Sequence, residues 1–280
     1  MRPSQPSPQL WPDYLVQTRE NPALSENKIH TDEVARAYGF AGGLVSGTVV
    51  FSHLTRPLVE NLGEDWLVRG QGTVRFFQPA YNADRLVIRS ISGATSEGVP
   101  EWVVGAYRED GRCLAELRAT LPERAPPLGA WADTLPHTRP EGAELPPVSW
   151  EAIELERPFW GYSWRPSLED NVAWADQVRD DLLLYRGEAG APLHPGKALQ
   201  AANEVFKRQF QLNPWIHVSS DMTFRRVLRV GEEIEVRAVP LKKFRKKGHE
   251  IVSLYVLMLA GGEPALEVTH QAIFSIAKPA

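Results

Sequence analysis

The order of signals in residues 1–121 recurs after residue 148, and this duplication narrows the possible folds more than any other property of the 280-residue chain. Between the copies stand Pro122, Pro126, Pro127, Pro136, Pro140, Pro146 and Pro147. Each removes a backbone donor and restricts the residue before it, so regular structure is not expected there. The pattern predicts a domain over 1–121, a linker over 122–148 and a second domain over 149–280. Both domains are long enough to bury a core of their own.

In the first copy a short polar helix over Thr31–Tyr38 leads into Gly39-Phe40-Ala41-Gly42-Gly43-Leu44-Val45-Ser46-Gly47. A long helix over Thr48–Leu62 follows, and Gly63 ends it. Strands are expected at Leu67–Gln78, Arg85–Ser92, Glu101–Glu109 and Arg112–Leu121, with Asp110-Gly111 turning the last hairpin. In the second copy a helix starts after Ser167, with Asp170 placed as in a capping box. The matching glycine run is Gly187–Gly196, followed by a helix from Lys197 to Leu212. Strands are expected at His217–Val230, Glu232–Lys242, His249–Leu259 and Pro264–Ala277. Gly39 and Gly187 lie 148 positions apart (187 − 39), and Gly42/Gly190 and Asp84/Glu232 repeat that interval. Such a fixed offset is the mark of an internal repeat.

The long helices carry the packing argument. Ala198, Leu199, Ala201, Ala202, Val205 and Phe206 make a wide apolar face, and Val49, Val50, Leu54, Leu58 and Leu62 do the same in the first copy. Pro57 is expected to bend that first helix or end it early. A helix followed by an antiparallel meander buries its apolar face when the sheet wraps around it. The predicted class is α+β: a double hotdog of two antiparallel sheets, each wrapped around a long central helix.

Composition removes several functions. A net charge of −4 favours neither nucleic acid nor an anionic membrane as partner. No apolar run approaches the roughly 18 residues that span a bilayer. The start of the chain, with Pro3, Pro6 and Pro8, is polar and lacks the apolar core of a signal peptide, so a cytoplasmic protein is expected. The single cysteine, Cys113, excludes an intrachain disulfide and a cysteine-rich zinc site. His53, His217, His249 and His270 have no metal-ligand spacing, and no metal or cofactor is expected. A Gly-x-Ser-x-Gly elbow is absent, and Gly70-Gln71-Gly72 lacks the third glycine of a dinucleotide loop.

One segment of the first copy points to chemistry: Leu24-Ser25-Glu26-Asn27-Lys28-Ile29-His30-Thr31-Asp32. It resembles the signature of the MaoC-like dehydratases and (R)-specific enoyl-CoA hydratases, Asp-x-Asn-Pro-[Leu/Ile]-His followed by x-Asp. Asn27, Ile29, His30 and Asp32 match, as do the downstream Gly39-Phe40 and Gly47. The resemblance spans both copies as a double hotdog, but the signature occurs only in the first. Four departures stand out. Ser25 replaces the family's catalytic Asp, Lys28 its Pro, and Ser46-Gly47 its His-Gly pair; the interval from His30 to Gly39 is one residue shorter.

The resemblance implies a hydratase or dehydratase acting on a 2-enoyl-CoA, a 3-hydroxyacyl-CoA or a carrier-bound equivalent, with His30, Ser25 and Asn27 as the catalytic set. Syn addition of water needs a base for the water and an acid for the α-carbon, roles that a paired Asp and His can share. Ser25 cannot accept a proton at neutral pH, and losing one of two such groups costs about 10²- to 10⁴-fold. The enolate-like thioester oxygen needs fixed donors. Amides at the start of the long helix, among Gly43, Val45, Ser46 and Gly47, are the candidates.

Each of these residues also has a purely structural account. His30 can be a surface or capping residue, Asp32 a first-turn acid, Asn27 a local backbone partner and Gly47 a spacer. In the second copy His194-Pro195-Gly196 stands for Val45-Ser46-Gly47, and the position of His30 falls near Arg179. No second dyad is visible, so this copy is read as pocket wall and support. Lys242, Lys243, Arg245, Lys246 and Lys247 form a basic hairpin tip. It is either a solvated turn or a contact for coenzyme A phosphates or an acidic acyl carrier protein. Two other functions stay open: a hotdog that binds an acyl thioester without turnover, and a thioesterase. For the latter, Glu60 and Glu204 lie far along their helices and are poor candidates. The expected partner is an acyl-CoA or acyl-carrier-protein thioester, and the chain is expected to be a monomer or a homodimer.

Overall fold

The structure, a computed structural model, describes residues 10–22, 25–94, 98–134, 139–188 and 190–277. The proline-spaced start of the chain, Leu24, Pro136 and Ala189 lie outside them. The first half holds β1 (Leu10–Gln17), α1 (Asp32–Ala37), α2 (Gly47–Leu62), α3 (Asp65–Arg69), β2 (Gln71–Phe76), β3 (Arg85–Ala94), β4 (Pro100–Arg108) and β5 (Cys113–Thr120). The second holds β6 (Tyr162–Trp164), α4 (Leu168–Gln177), α5 (Pro195–Lys207), β7 (Ile216–Phe224), β8 (Ile234–Lys246), β9 (His249–Ala260) and β10 (Glu263–Ser275).

These strands form one antiparallel sheet in the order β1-β3-β4-β5-β2-β7-β10-β9-β8-β6. Counted outward from the centre, the order is the same in both halves, so β2 and β7 are equivalent. They pair with each other from Gln71 opposite Thr223 to Arg75 opposite Ser219. The expectation of two separate sheets is corrected here to one continuous ten-stranded sheet. The physical reason is that β2 and β7 would each leave an unpaired edge, and joining them satisfies both rows of backbone groups. Helices α2 and α5 cross closely on this sheet: a Cβ at Gly196 would stand 1.8 Å from Ser52 Oγ. Val49, Leu54 and Leu58 of α2 and Leu199, Val205 and Phe206 of α5 share one core with Val74, Leu117, Val256 and Val268 of the strands.

Several local expectations hold. Gly111 adopts φ +82° in the β4–β5 turn, where Asp110 Oδ1 accepts from the Arg112 amide at 3.0 Å. Ser167 Oγ accepts from the Asp170 amide at 3.0 Å and caps α4. Others are revised. Strands β1 and β6 were not anticipated, α3 occupies the start of the first expected strand, and α5 stops at Lys207. Helix α2 continues through Pro57 to Leu62, although the ring deprives the His53 carbonyl of its helical donor. The described part of the proline-rich stretch holds no helix and no strand beyond an isolated bridge from Pro147 to Gln211. It is strapped to the second half. Arg225 donates to the Pro126 and Pro127 carbonyls, the Gly129 amide donates to Glu267, and Trp131 and Ala132 pack with Tyr255, Leu257 and Leu259.

Candidate active site

A cavity of about 390 Å³ opens between the two halves. His30, Ser25, Asn27, Ser46 and Gly47 line it from the first half. Sequence forces this local geometry. Asn27 caps the 3₁₀ turn Lys28–His30, its Oδ1 accepting from the Ile29 amide at 3.3 Å. The same side chain reaches the second half, where Nδ2 donates to the Trp215 carbonyl at 2.8 Å and Oδ1 accepts from the Trp215 amide at 3.3 Å. Asn27 therefore stitches the His30 turn to the residue before β7. Ser25 Oγ accepts from the Asn27 amide at 3.2 Å.

His30 Nδ1 lies 2.6 Å from the Leu44 carbonyl. A carbonyl only accepts, so Nδ1 carries a proton, and in the neutral ring the lone pair falls on Nε2. The close pass of the next segment requires glycine, since a Cβ at Gly43 would lie 2.1 Å from the His30 carbonyl oxygen.

The amides of that segment are not equally available. Gly43 donates to Asp32 Oδ1 at 2.9 Å and Val45 to the Ala80 carbonyl at 2.8 Å. The Ser46 amide donates to Glu20 Oε2 at 2.7 Å. Gly47 and Thr48, the first two residues of α2, have amides with no acceptor among the described residues, and the Ser46 side chain makes no cap bond. Two of the first donors of a 16-residue helix are thus open. Glu20 also lines the cavity, which makes it a carboxylate of the site that the sequence reading missed.

The equivalent start of α5 is filled. His194 Nδ1 accepts from the Gly196 amide at 3.0 Å, and Nε2 lies 3.2 Å from Asp180 Oδ2. This is a carboxylate–histidine pair in the half where sequence showed none. Both side chains are buried, Arg56 pairs with the same carboxylate at 3.1 Å, and neither lines the cavity. Burial acts to raise Asp180, but the hydrogen bond from His194, with the Leu182 amide and the Arg56 charge, outweighs it and holds the carboxyl low.

Helix α5 turns a polar stripe to the cavity: Gln200, Asn203, Glu204 and Lys207. Their i, i+3, i+4, i+7 spacing, opposite the apolar face, is a signal by which sequence could have found them. Glu204 therefore does reach the cavity, whereas Glu60 does not line it. Lys207 holds Glu204 at 2.9 Å and also Glu26 of the first half at 2.9 Å. The Lys207 hydrogen bond keeps Glu26 below its ordinary value. His249 lines the cavity, and its Nδ1 accepts from the Ala277 amide at 3.0 Å. The basic run does form the β8–β9 hairpin tip, but none of its five cations lines the cavity. Lys243 donates to the Trp150 and Ile153 carbonyls and Arg245 pairs with Glu250. Among the described residues, no group of three or more His, Cys, Asp or Glu is placed to hold a metal ion, and no helix is long and apolar enough to cross a membrane.

The duplicated strand order, the fused sheet and the two long helices are those of a double hotdog fold. A double-hotdog protein from Mycobacterium tuberculosis superposes with a TM-score of 0.65 at 14% identity, over 96% of this chain and 96% of that one. A MaoC-like dehydratase gives 0.60 at 13% identity, over 94% and 98%. A putative oleoyl thioesterase from Lactobacillus plantarum gives 0.52 at 12% identity, over 96% and 98%. At these identities the likeness is one of fold. No protein-family model matches the sequence, and no curated protein does.

Proposed function

We propose that this cavity handles acyl thioesters and that the chain is a hydratase or dehydratase of 2-enoyl or 3-hydroxyacyl thioesters, with His30 as acid/base. The observation that carries the reading is the contrast between the two helix starts. His194 fills that of α5, while that of α2 is open next to a histidine with a free Nε2. A thioester carbonyl there accepts from the Gly47 and Thr48 amides, where the positive end of the helix dipole stabilises enolate character. One water between His30 and Glu20 completes the addition. The His30 Nε2 lone pair takes a proton from the water as its oxygen joins the β-carbon, and the imidazolium so formed returns that proton to the α-carbon of the enolate, while the Glu20 carboxylate holds the water by accepting its other hydrogen. Glu20 compensates for Ser25, whose hydroxyl already accepts from Asn27. Support for the pairing of Glu20 and His30 comes from their anchors, the Ser46 amide and the Leu44 carbonyl, two residues apart. Fold neighbours whose names include dehydratase and thioesterase agree with a thioester substrate.

Ser25, whose hydroxyl accepts from the Asn27 amide and is no base at neutral pH, also favours a second reading, a hotdog that binds a thioester without turnover. Hydration of crotonyl-CoA separates the two. Activity in the wild type that falls at least about 10²-fold in His30→Ala and Glu20→Gln supports the enzyme. Activity that arises only on Ser25→Asp supports the binder. Release of free CoA, untouched by His30→Ala, refutes both and identifies a thioesterase.

A further inference from the structure

Three residues not used above form a buried chain beside the cavity. His217 Nε2 lies 2.8 Å from Ser220 Oγ, which lies 3.0 Å from His270 Nδ1. All three side chains are buried, and His217 lines the cavity. A bulge in β7 brings them together. On β10, Gln271 stands opposite Ser219 and Ala272 opposite His217, so Val218 has no counterpart. Residues three apart on a regular strand face opposite sides. The extra residue turns His217 and Ser220 to the same side, as bulges next to functional sites do.

The outer nitrogen of this chain, His217 Nδ1, is buried without a hydrogen-bond partner among the described residues. It lies against the start of α2, where a Cβ on Gly47 would come within 2.8 Å of it. At the far end His270 Nε2 likewise has no partner among the described residues. Burial, reinforced for His217 by its neighbour His270, pushes both rings below the ordinary histidine range, so both are neutral near pH 7. Two neutral imidazoles and a hydroxyl carry three polar protons, and the two internal bonds use two of them. With the Ser220 proton engaged in one of those bonds, the third sits on one of the two outer nitrogens. A ligand oxygen that can only accept selects the state with the proton on His217 Nδ1.

We infer that His217 donates Nδ1–H to the carbonyl oxygen of an acyl thioester bound at the start of α2, with Ser220 and His270 as positioning residues that set its tautomer. This rests on the acyl-thioester reading above. It makes the site a shared one: the first copy supplies the helix amides and His30, and the second supplies an uncharged donor from β7. Glycine at position 47 then has a reason beyond packing, because any side chain there would displace the imidazole.

The test compares two probes on the full-length protein, butyryl-CoA and its thioether analogue S-butyl-CoA, which lacks the carbonyl oxygen. His217→Phe is expected to weaken butyryl-CoA about 10-fold while leaving S-butyl-CoA within about 2-fold. A wild-type nitrogen NMR spectrum needs no variant. Butyryl-CoA should fix His217 in the Nδ1–H tautomer, S-butyl-CoA should not, and Ser220→Ala should blunt the response. Equal loss of both probes, no loss of either, or a tautomer indifferent to the carbonyl overturns the inference and leaves the thioester reading standing. A wild type that binds neither probe overturns both.

Discussion

Replacing Gly196 by alanine tests the crossing of α2 and α5 that brings the two halves together. The added Cβ would stand 1.8 Å from Ser52 Oγ, 2.9 Å from Trp174 Nε1 and 3.1 Å from Ser52 Cβ. Ser52 Oγ cannot simply rotate away. It donates to the Thr48 carbonyl at 2.8 Å and accepts from Trp174 Nε1 at 3.2 Å. Losing these bonds costs about 1 kcal/mol each and leaves a buried indole N–H unpaired. Overpacking at the remaining Cβ contact adds about 1–3 kcal/mol. Against this, alanine gains about 1 kcal/mol of helix propensity. The net expectation is a loss of about 2–4 kcal/mol, or a Tm lowered by roughly 5–15 °C. Thermal and urea denaturation followed by circular dichroism measure it. In a Ser52→Ala background the same change should cost at least about 1 kcal/mol less, because the clashing oxygen is gone. A stable Gly196→Ala protein, or an equal cost in both backgrounds, refutes the close-crossing argument.

Three further outcomes follow from the same contacts. Asn27→Ala removes both bonds to Trp215 and should destabilise by about 1–3 kcal/mol; urea titration showing no change would mean the stitch is idle. Asp180→Asn takes the charge from a carboxylate shared by Arg56 and His194 and should cost about 3 kcal/mol; a neutral result in the same titration contradicts its role in holding the α5 start. Burial pushes His53 down to about 4 and His270 to about 3, from an ordinary value near 6.5. The unfolded chain takes up these protons as pH falls through about 6.5, and the folded chain only near the lowered values. Stability is therefore full above that window and declines within it, by about 2 kcal/mol at pH 5 from His53 alone. His53→Phe should flatten the decline in a Tm-against-pH series, and an equally steep curve would oppose the assignment.

The duplication was legible because glycines, turns and apolar periodicity mark each element locally. The long helices, the Asp110-Gly111 turn and the Ser167 cap are read from a few adjacent residues. What sequence concealed depends on contacts between the copies. That β2 and β7 fuse two sheets into one follows from edge pairing across the chain, which no local pattern records. Strand β1 was hidden by Pro12, which an edge strand tolerates and which falls at the register shift between Trp11 and Tyr14. The site divides in the same way. His30, Asn27 and Gly47 stand in a recognisable run, whereas Glu20 and His217 join them only through the fold. Glu20 arrives through the Ser46 amide and His217 through a bulge, and neither leaves a spacing to recognise. The buried Asp180–His194 pair illustrates the converse. A histidine beside a carboxylate can simply finish a helix, and only burial distinguishes the two cases.

The most direct measurement is a crystal structure of the chain with butyryl-CoA bound. The acyl carbonyl oxygen should sit within about 3.2 Å of the Gly47 and Thr48 amides, with His30 Nε2 facing the α- and β-carbons. An acyl group seated elsewhere, with those amides hydrogen-bonded only to water, would contradict the account.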